Sequence, residues 1–262
     1  MTQAGALLNG TLNTVAGRMG FEVVASWRLP RLAHTRRLQA LFGHFGITSV
    51  SDVGANSGQF RDQMRDEAGF AGPIHSFEPD PALAAALARR AAADPAWTVH
   101  PCALGASEGT MAFNIMENSV YNSFHAPDAR EAGHAANGNR VMRTAEVEVR
   151  TLDAAAAVLP DLAHAFLKID TQGFDLEVLK GGQAVARQVP LLQTEVSLRA
   201  LYSGMPSMQA SIAAFEVLGF AVADLFLTST DGAQRAVEFD CVMVRERDVA
   251  RPGVSARLRA LP

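Results

Sequence analysis

Short apolar runs alternate with helical stretches through most of the chain. Each run ends at or near a small or acidic residue, and the stretch after it has helical periodicity. This alternation is typical of βα units and predicts a largely parallel sheet covered by helices. Pro79 and Pro81 flank the start of an alanine-rich helix that should run to about Ala93. The runs lie at residues 47–53, 73–77, 97–104, 165–169 and 190–196.

Residues 110–150 interrupt this rhythm. Their two ends, 110–115 and 145–149, have the composition of strands, while the middle is rich in Asn, His, Gly and Ala. We therefore expect a β-hairpin or loop insertion with an exposed centre. Loops of this length inside a compact domain are usually functional or disordered.

The N-terminal segment, residues 1–46, has a different pattern. Apolar side chains recur at helical spacing around Leu38 and Phe42, which predicts a helical N-terminal appendage. Several arginines accompany them and form either a solvated face or a surface for an anionic substrate or membrane. The solvated face is the simpler interpretation.

Near the C-terminus, residues 220–227 and 237–244 read as strands separated by an Asp-Gly turn. This arrangement predicts an antiparallel hairpin that closes the sheet. We expect one α/β domain at residues 47–250, followed by a tail at residues 251–262.

Composition narrows the classes of partner. The chain has 262 residues, of which 48% are hydrophobic, enough to bury a full core. Its formal net charge of -4 gives no overall attraction to nucleic acid, whose phosphates bind basic surfaces. No apolar stretch approaches the roughly 20 residues that span a bilayer, and the N-terminus lacks a secretory pattern. We expect neither a nucleic-acid partner nor a membrane span.

The cysteines indicate the cellular setting. Cys102 and Cys241 are the only two, and they are far apart in sequence. Neither belongs to a Cys-x-x-Cys or Cys/His pattern, so the sequence predicts no disulfide framework and no zinc site. A reducing, cytoplasmic location fits this usage.

The segment Ser-Asp-Val-Gly-Ala-Asn-Ser-Gly, residues 51–58, stands where the first strand should turn into a helix. Gly54 and Gly58 remove side chains where a ligand approaches the backbone, and the helix offers free amides at its N-terminus. The glycine spacing differs from the G-x-G-x-x-G of dinucleotide-binding proteins, and the P-loop lysine is absent. The segment disfavours a nicotinamide-dependent oxidoreductase and suits another polar ligand, although a plain tight turn also explains it.

Glu78 is a second element of this site. It lies 20 residues after Gly58, at the predicted carboxyl end of the second strand. A carboxylate there can accept hydrogen bonds from both hydroxyls of a ribose, the alternative being a solvated charge at a helix start. Together with the glycine-rich segment, Glu78 indicates an adenosine-type cofactor.

Asp170 is a third element. The fourth apolar run delivers it to the carboxyl edge of the sheet, where open α/β folds bind ligands. A short helix follows and ends at a Gly-Gly pair. Asp170 is therefore expected at the site, whereas Asp175 and Glu177 are more typical of charges at a helix start.

In this order, the segments DVGANSGQF, SFEPDP and LKIDTQGFDLEVLKGG resemble the FkbM family of S-adenosylmethionine-dependent methyltransferases. The tail segments LLQTEVS, LYSGMP and EFDCVMVRER are also similar, and the resemblance spans about residues 36–247. It implies a Rossmann-like class I methyltransferase fold, with a seven-stranded, mostly parallel sheet of strand order 3-2-1-4-5-7-6. It also implies S-adenosylmethionine as cofactor and methylation of hydroxyls on sugars, glycolipids or polyketide-type metabolites.

The resemblance also assigns roles to matching residues. Glu78 would bind the ribose, and the triplet Thr-Gln-Gly departs from the Val-Glu-Gly-like triplet of many relatives, which leaves the role of Gln172 open. The methionine end of the cofactor would be lined by Asp52, Gly54, Asn56 and Gly58.

Methyl transfer is an in-line displacement, so the protein mainly aligns the two reactants. A base that takes the hydroxyl proton would add a rate factor of about 10² to 10⁴. The candidates are Asp170, favoured by its position, Glu195 and His125, although a loop histidine is usually a surface residue. Asp170 could instead only bind the cofactor. A metal ion between Asp170, Glu195 and Asp240 is a minority hypothesis, and we expect none.

The acceptor pocket is expected to draw on residues 110–150, because this insertion lies beside the cofactor edge of the sheet. The acceptor should be a small molecule or glycan, and the sequence leaves open whether the chain forms a homo-oligomer. A catalytically inactive cofactor-binding or scaffold protein is the alternative function. The acceptor-binding candidates, each equally able to play a structural part, are Asn118, Tyr121, Asn122, Ser123 and Arg143.

Overall fold

The computed structural model describes residues 16, 18–21, 23–128 and 138–246. Much of the N-terminal appendage, the centre of the insertion and the predicted tail at 251–262 lie outside the described residues. Within the described part of the chain, no helix is both long enough and apolar enough to cross a membrane.

Helices and strands alternate along the chain, as the apolar pattern predicts. The first half contains α1 (Leu29–Phe45), β1 (Ser49–Val53), α2 (Gln59–Asp62, continued by a π turn), β2 (Ile74–Phe77), α3 (Pro81–Ala91), β3 (Trp97–His100), β4 (Ala103–Leu104) and β5 (Gly109–Met116). The second half contains β6 (Val141–Arg150), α4 (Leu152–Ala155), β7 (Ala165–Ile169), α5 (Asp175–Lys180), α6 (Gln183–Ala186), β8 (Leu191–Ser197), α7 (Met208–Glu216), β9 (Phe220–Thr230) and β10 (Ala236–Arg245).

The main sheet has seven strands in the order β3-β2-β1-β7-β8-β10-β9. The first five run parallel, and β10 is antiparallel to both of its neighbours. With its strands renumbered from one to seven, this is the order 3-2-1-4-5-7-6. The prediction of a Rossmann-like α/β fold of this topology is confirmed.

Side chains of successive residues in β7 point to opposite faces of the sheet and enter two separate cores. Phe166 packs in one core with Leu38 of α1 and Phe60 of α2. Leu167 packs in the other core with Val178 of α5. The N-terminal helix predicted from periodicity therefore packs directly on the sheet.

The pattern predicted a single strand for the apolar run at residues 97–104, but the structure divides this run into two strands. β3 ends at His100, and β4 pairs instead with β6 in a second sheet of order β4-β6-β5. Pro101 lies at the break, and a proline has no N–H to donate to a strand ladder. The run therefore changes sheets at this residue.

Two predicted hairpins are confirmed. β5 and β6 pair antiparallel in the insertion, each longer than its predicted strand. β9 and β10 pair antiparallel at the edge of the main sheet. In the turn between them, the Asp231 carboxylate accepts the N–H groups of Ala233 and Arg235, which fixes the predicted Asp-Gly turn.

Candidate active site

A cavity of about 840 Å³ opens along the carboxyl edge of the main sheet. Its wall comes from the loops after β1, β2 and β7, from β8 and β10, from the insertion, and from α1 and β9. Small-molecule sites commonly measure about 300–1,000 Å³, and parallel sheets bind their ligands at this edge. The cavity therefore has the place and the size of an active site.

Gly54 allows two loops of the cavity to touch. Its φ is +82°, and a Cβ at this position would lie 1.9 Å from the carbonyl oxygen of Asp170. Its N–H and that of Ala55 donate to the carbonyl of Phe77, at 3.0 and 3.1 Å. Only glycine permits this backbone conformation and this approach together.

Glu78 is held inside the cavity wall by the backbone. Its Oε2 accepts the N–H of Asn56 at 2.6 Å, and its Oε1 accepts the N–H of Asp80 at 2.8 Å. The residue is only 4% exposed. Burial raises the pKa of Glu78 to about 8, against the opposing effect of the two N–H donors. The ionised carboxylate would gain from further donors supplied by a ligand.

A row of buried polar side chains crosses four parallel strands. Ser76, Asp52, Lys168 and Gln193 are successive partners in the register of β2, β1, β7 and β8. Lys168 Nζ lies 3.2 Å from Asp52 Oδ1 and 3.3 Å from Asp170 Oδ2. Burial alone would lower the pKa of Lys168, but the surrounding carboxylates outweigh it and raise that pKa, so the lysine stays charged.

Gln172 joins two carboxyl groups at the edge of this row. Its Nε2 donates to Asp170 Oδ1 at 3.2 Å and to Glu195 Oε2 at 2.7 Å. The hydroxyl of Tyr202 donates to its Oε1 at 2.8 Å and so fixes the direction of the amide. An amide at position 172 adds no further acid to this cluster of carboxyl groups, which gives a physical reason for the Thr-Gln-Gly triplet.

Burial and mutual repulsion raise the pKa values of two carboxyl groups in the cavity, Glu195 and Asp240. Burial, followed by the carboxylates of Asp170, Glu238 and Asp240, raises the pKa of Glu195 well above its ordinary value. Burial and Asp170 likewise raise the pKa of Asp240 to about 7. Burial and the neighbouring carboxylates therefore favour the protonated form of Glu195, which can act as a hydrogen-bond donor.

The family model described as the methyltransferase FkbM domain matches residues 52–222, which is more than half of the chain. The chain belongs to the FkbM methyltransferase family. This match confirms the resemblance seen in the sequence motifs. No curated protein matches the sequence.

Solved structures are similar in fold to this member of the FkbM family. The methyltransferase FkbM from Methylobacillus flagellatus KT has a TM-score of 0.50 at 17% identity, over 76% of this chain and 43% of that one. A putative sarcosine dimethylglycine methyltransferase from Galdieria sulphuraria has a TM-score of 0.47 at 11% identity, over 83% and 86%. The chain thus spans less than half the length of the Methylobacillus protein, and the likeness concerns the fold alone.

Some cofactor-site predictions do not match the lining of the cavity. Asp52 is fully buried in the polar row and pairs with Lys168 behind the cavity wall. Gly58 begins α2 and faces α3, because a Cβ there would meet Arg90 Nη1 at 2.8 Å. Both residues build the site from behind rather than line it. The predicted residues that do line the cavity are Gly54, Asn56, Glu78, Asn122, Asp170 and Glu195.

The prediction of His125 as a base is not supported by its position. Its ring packs edge-on against Phe174, with 5.8 Å between ring centroids, and it is not among the cavity residues. Its N–H donates to Ser123 Oγ at 3.0 Å. His125 is therefore part of the packing of the insertion.

The insertion closes on the glycine-rich loop. Asn56 Nδ2 donates to the carbonyl of Ser119 at 2.7 Å, and Ser119 Oγ donates to Asn56 Oδ1 at 3.1 Å. Asn122 lines the cavity and donates to Asp80 Oδ2 at 3.4 Å. Ser123 Oγ donates to the Gln172 carbonyl at 2.8 Å, and Arg143 Nη2 lies 3.9 Å from Asp80 Oδ1, so these two link the insertion to neighbouring loops. The acceptor candidates outside the cavity lining are Asn118, Tyr121, Ser123 and Arg143.

Sequence reasoning missed the wall formed by α1 and β9. His34 and Trp27 on the N-terminal side and Phe226 of β9 line the cavity. Lys168 was also missed, although a lysine inside an apolar run, two residues before Asp170 and on the same face, is a usable signal. In the described part of the chain, no three His, Cys, Asp or Glu side chains are placed to hold a metal ion.

Asp175 supplies a test of these electrostatics. Burial and Asp170 raise its pKa from 3.8 to about 7. The folded state therefore keeps this proton at higher pH than the unfolded state, and stability falls as the pH rises between these values. Asp175→Asn retains an oxygen that can accept from Thr171, so urea unfolding across this range should show a weaker fall. Asp66→Asn, at an exposed position, is the control and should show the same pH dependence of stability as wild type. An equal fall of stability with pH in Asp175→Asn and wild type would contradict the raised pKa of Asp175.

Proposed function

We propose that this protein transfers the methyl group of S-adenosylmethionine to a hydroxyl of a sugar, glycolipid or polyketide-type metabolite. The observation that carries the proposal is one shared cavity. It joins the Gly54 turn and the buried Glu78 carboxylate to the polar cluster of Lys168, Asp170 and Glu195. Membership of the FkbM methyltransferase family supports the same reaction class.

The residues present suit an adenosyl cofactor. Each oxygen of Glu78 accepts one backbone N–H and keeps lone-pair capacity that two ribose hydroxyls could use. The turn at Gly54 to Asn56 would face the methionine end. The Asp170 carboxylate would accept a hydrogen bond from the cofactor's amino group. Lys168 and Gln172 hold the two carboxylate oxygens of Asp170 in place.

When bound, the cofactor would supply an electrophilic methyl group on a sulfonium. The protein's part is to align the acceptor oxygen with that methyl group in the cavity at the edge of the sheet. Protonated Glu195 can donate a hydrogen bond to the acceptor, and Gln172 keeps its carboxyl group in place. The charge of Lys168 offsets the local excess of acids.

Glu78→Ala is expected to weaken S-adenosylhomocysteine binding by about 1–3 kcal/mol through loss of hydrogen bonds to the ribose. Isothermal titration calorimetry measures this directly. The exposed Glu108→Ala serves as the matched control and should bind as wild type does. Unchanged affinity in Glu78→Ala would remove this residue from the cofactor site.

The proposed reaction is tested by incubating the full chain with S-adenosylmethionine and a panel of polyols, glycolipids and macrolide polyketides. Mass spectrometry should reveal one class of product heavier by a single methyl group on oxygen. Binding of S-adenosylhomocysteine without a methylated product across the panel would favour the inactive binding or scaffold protein. Methylation on nitrogen or carbon alone would contradict the hydroxyl acceptor.

A further inference from the structure

We propose that His34, on the N-terminal helix and outside the motif segments, is the base that accepts the proton of the acceptor hydroxyl. The inference rests on the proposed function and adds the proton acceptor that the motif residues do not provide. It also gives α1 a part in catalysis.

His34 is fixed against three strands of the main sheet. It is 7% exposed and lines the cavity. Its ring stacks on Phe226 of β9, with 4.4 Å between centroids, and its Nε2 lies 3.0 Å from Gln193 Oε1 of β8. Its Nδ1 lies 3.7 Å from Asp240 Oδ2 of β10. The imidazole is therefore held in one orientation at the cavity wall.

The hydrogen bonds of Gln193 determine which nitrogen of His34 carries the proton. The Gln193 side chain is also hydrogen-bonded to the Asp240 carboxyl group, and its amide nitrogen is the donor in that bond. The amide oxygen then accepts the Nε2–H of His34. Nδ1 is left with its lone pair and no hydrogen bond to a described residue, so it can accept from a hydroxyl.

The surroundings keep the imidazole neutral before the reaction. Burial lowers the pKa of His34 below 6.5, Gln193 opposes this effect, and Arg31 adds to it. The charged groups facing it are Arg31 and Arg37 on α1, Asp224 on β9 in an ion pair with Arg37, and Asp240 on β10. The free base is thus the main form at neutral pH.

The other candidates are less able to take a proton. Burial and neighbouring carboxylates raise the pKa of Glu195 well above its ordinary value and so favour the protonated form, which has no free carboxylate to accept a proton. Asp170 has one oxygen bonded to Gln172 and the other beside Lys168. His34, by contrast, lines the cavity, and its Nδ1 has no hydrogen bond to a described residue.

The proposed step is balanced in atoms and charge. The acceptor oxygen forms a bond to the methyl carbon, the carbon–sulfur bond breaks, and its electron pair stays on sulfur. The hydroxyl proton passes to Nδ1 of His34, so the positive charge of the sulfonium is replaced by that of an imidazolium. Asp240, whose pKa is about 7, faces that cation and stabilises it when ionised.

Nitrogen-15 NMR of histidine-labelled full chain, saturated with S-adenosylhomocysteine, tests the state of His34 without any acceptor. Loss of one resonance in His34→Gln assigns the signal. A titration between about pH 5 and 8 should give a pKa below 6.5 for the His34 ring. At the upper end of this pH range the ring should be neutral, with its proton on Nε2. A proton on Nδ1, or an imidazolium at pH 7, would overturn the proposal.

Activity gives the second readout, using an acceptor that the panel identifies. In the wild-type protein the rate should fall at acid pH, because protonated His34 cannot accept the hydroxyl proton. His34→Gln should lower the rate of methyl transfer about 10² to 10⁴-fold and remove this pH dependence. Its affinity for S-adenosylhomocysteine should be unchanged. The control is His44→Gln on the same helix, where the side chain is exposed, and it should behave as wild type. Full activity in His34→Gln would overturn the proposal, whereas a wild-type protein inactive on every acceptor would instead count against the proposed function.

Discussion

Lys168→Met is expected to lower the free energy of unfolding by about 3–5 kcal/mol, since it leaves the buried carboxylate of Asp52 without its cation. Asp52 is completely buried, and its other side-chain contact is a hydrogen bond from Ser76 at 3.2 Å. Lys168 stands between Asp52 and Asp170, so one substitution removes the partner of both. Urea unfolding at neutral pH measures the loss.

Lys180→Met is the matched control for this experiment. Its side chain is 60% exposed and pairs with Glu177 on the surface, so the expected change is no more than about 1 kcal/mol. The double variant Asp52→Asn/Lys168→Met should recover part of the lost stability, because the orphaned charge is gone. A loss in Lys168→Met no larger than in Lys180→Met would contradict the buried row of charges.

Gly54→Ala is expected to lower the free energy of unfolding by about 2–4 kcal/mol and to impair cofactor binding. The new Cβ would stand 1.9 Å from the Asp170 carbonyl oxygen, so the loops after β1 and β7 must move apart. The φ of +82° adds strain that a side chain rarely tolerates. Thermal unfolding and calorimetric titration with S-adenosylhomocysteine measure the two effects.

Gly43→Ala is the control for Gly54→Ala. Gly43 lies inside α1, and a Cβ there meets nothing within 4 Å. Alanine in a helix interior should stabilise the protein by about 0.5–1 kcal/mol. A Gly54→Ala variant as stable as wild type, with normal binding, would show that the contact between these loops is not needed.

Local patterns predicted the elements whose character is decided locally. The apolar runs of β1, β2, β7 and β8 are buried strands, and their short length is what favours strands over helices in the sequence. The glycine-rich loop and Glu78 were predicted as neighbours because the ends of adjacent parallel strands meet at one edge. Their contact through the Asn56 N–H bears out that geometry.

Contacts between distant segments were not predictable in the same way. Periodicity shows that α1 is a helix but not which strands it covers. The contacts of His34 with Gln193 and Asp240 could therefore not be predicted from the sequence. The insertion was expected beside the acceptor, yet its Ser119 bonds to Asn56 of the glycine-rich loop. Such pairings depend on tertiary packing, which a single sequence does not display.

The most direct test of the central claim is isothermal titration of the full chain with S-adenosylmethionine, S-adenosylhomocysteine and NAD. Glu78 and the Gly54 turn line one cavity at the sheet edge, which predicts micromolar binding of both adenosyl compounds and no binding of NAD. Binding of NAD alone, or of none of the three, would contradict a methyltransferase that uses this cavity.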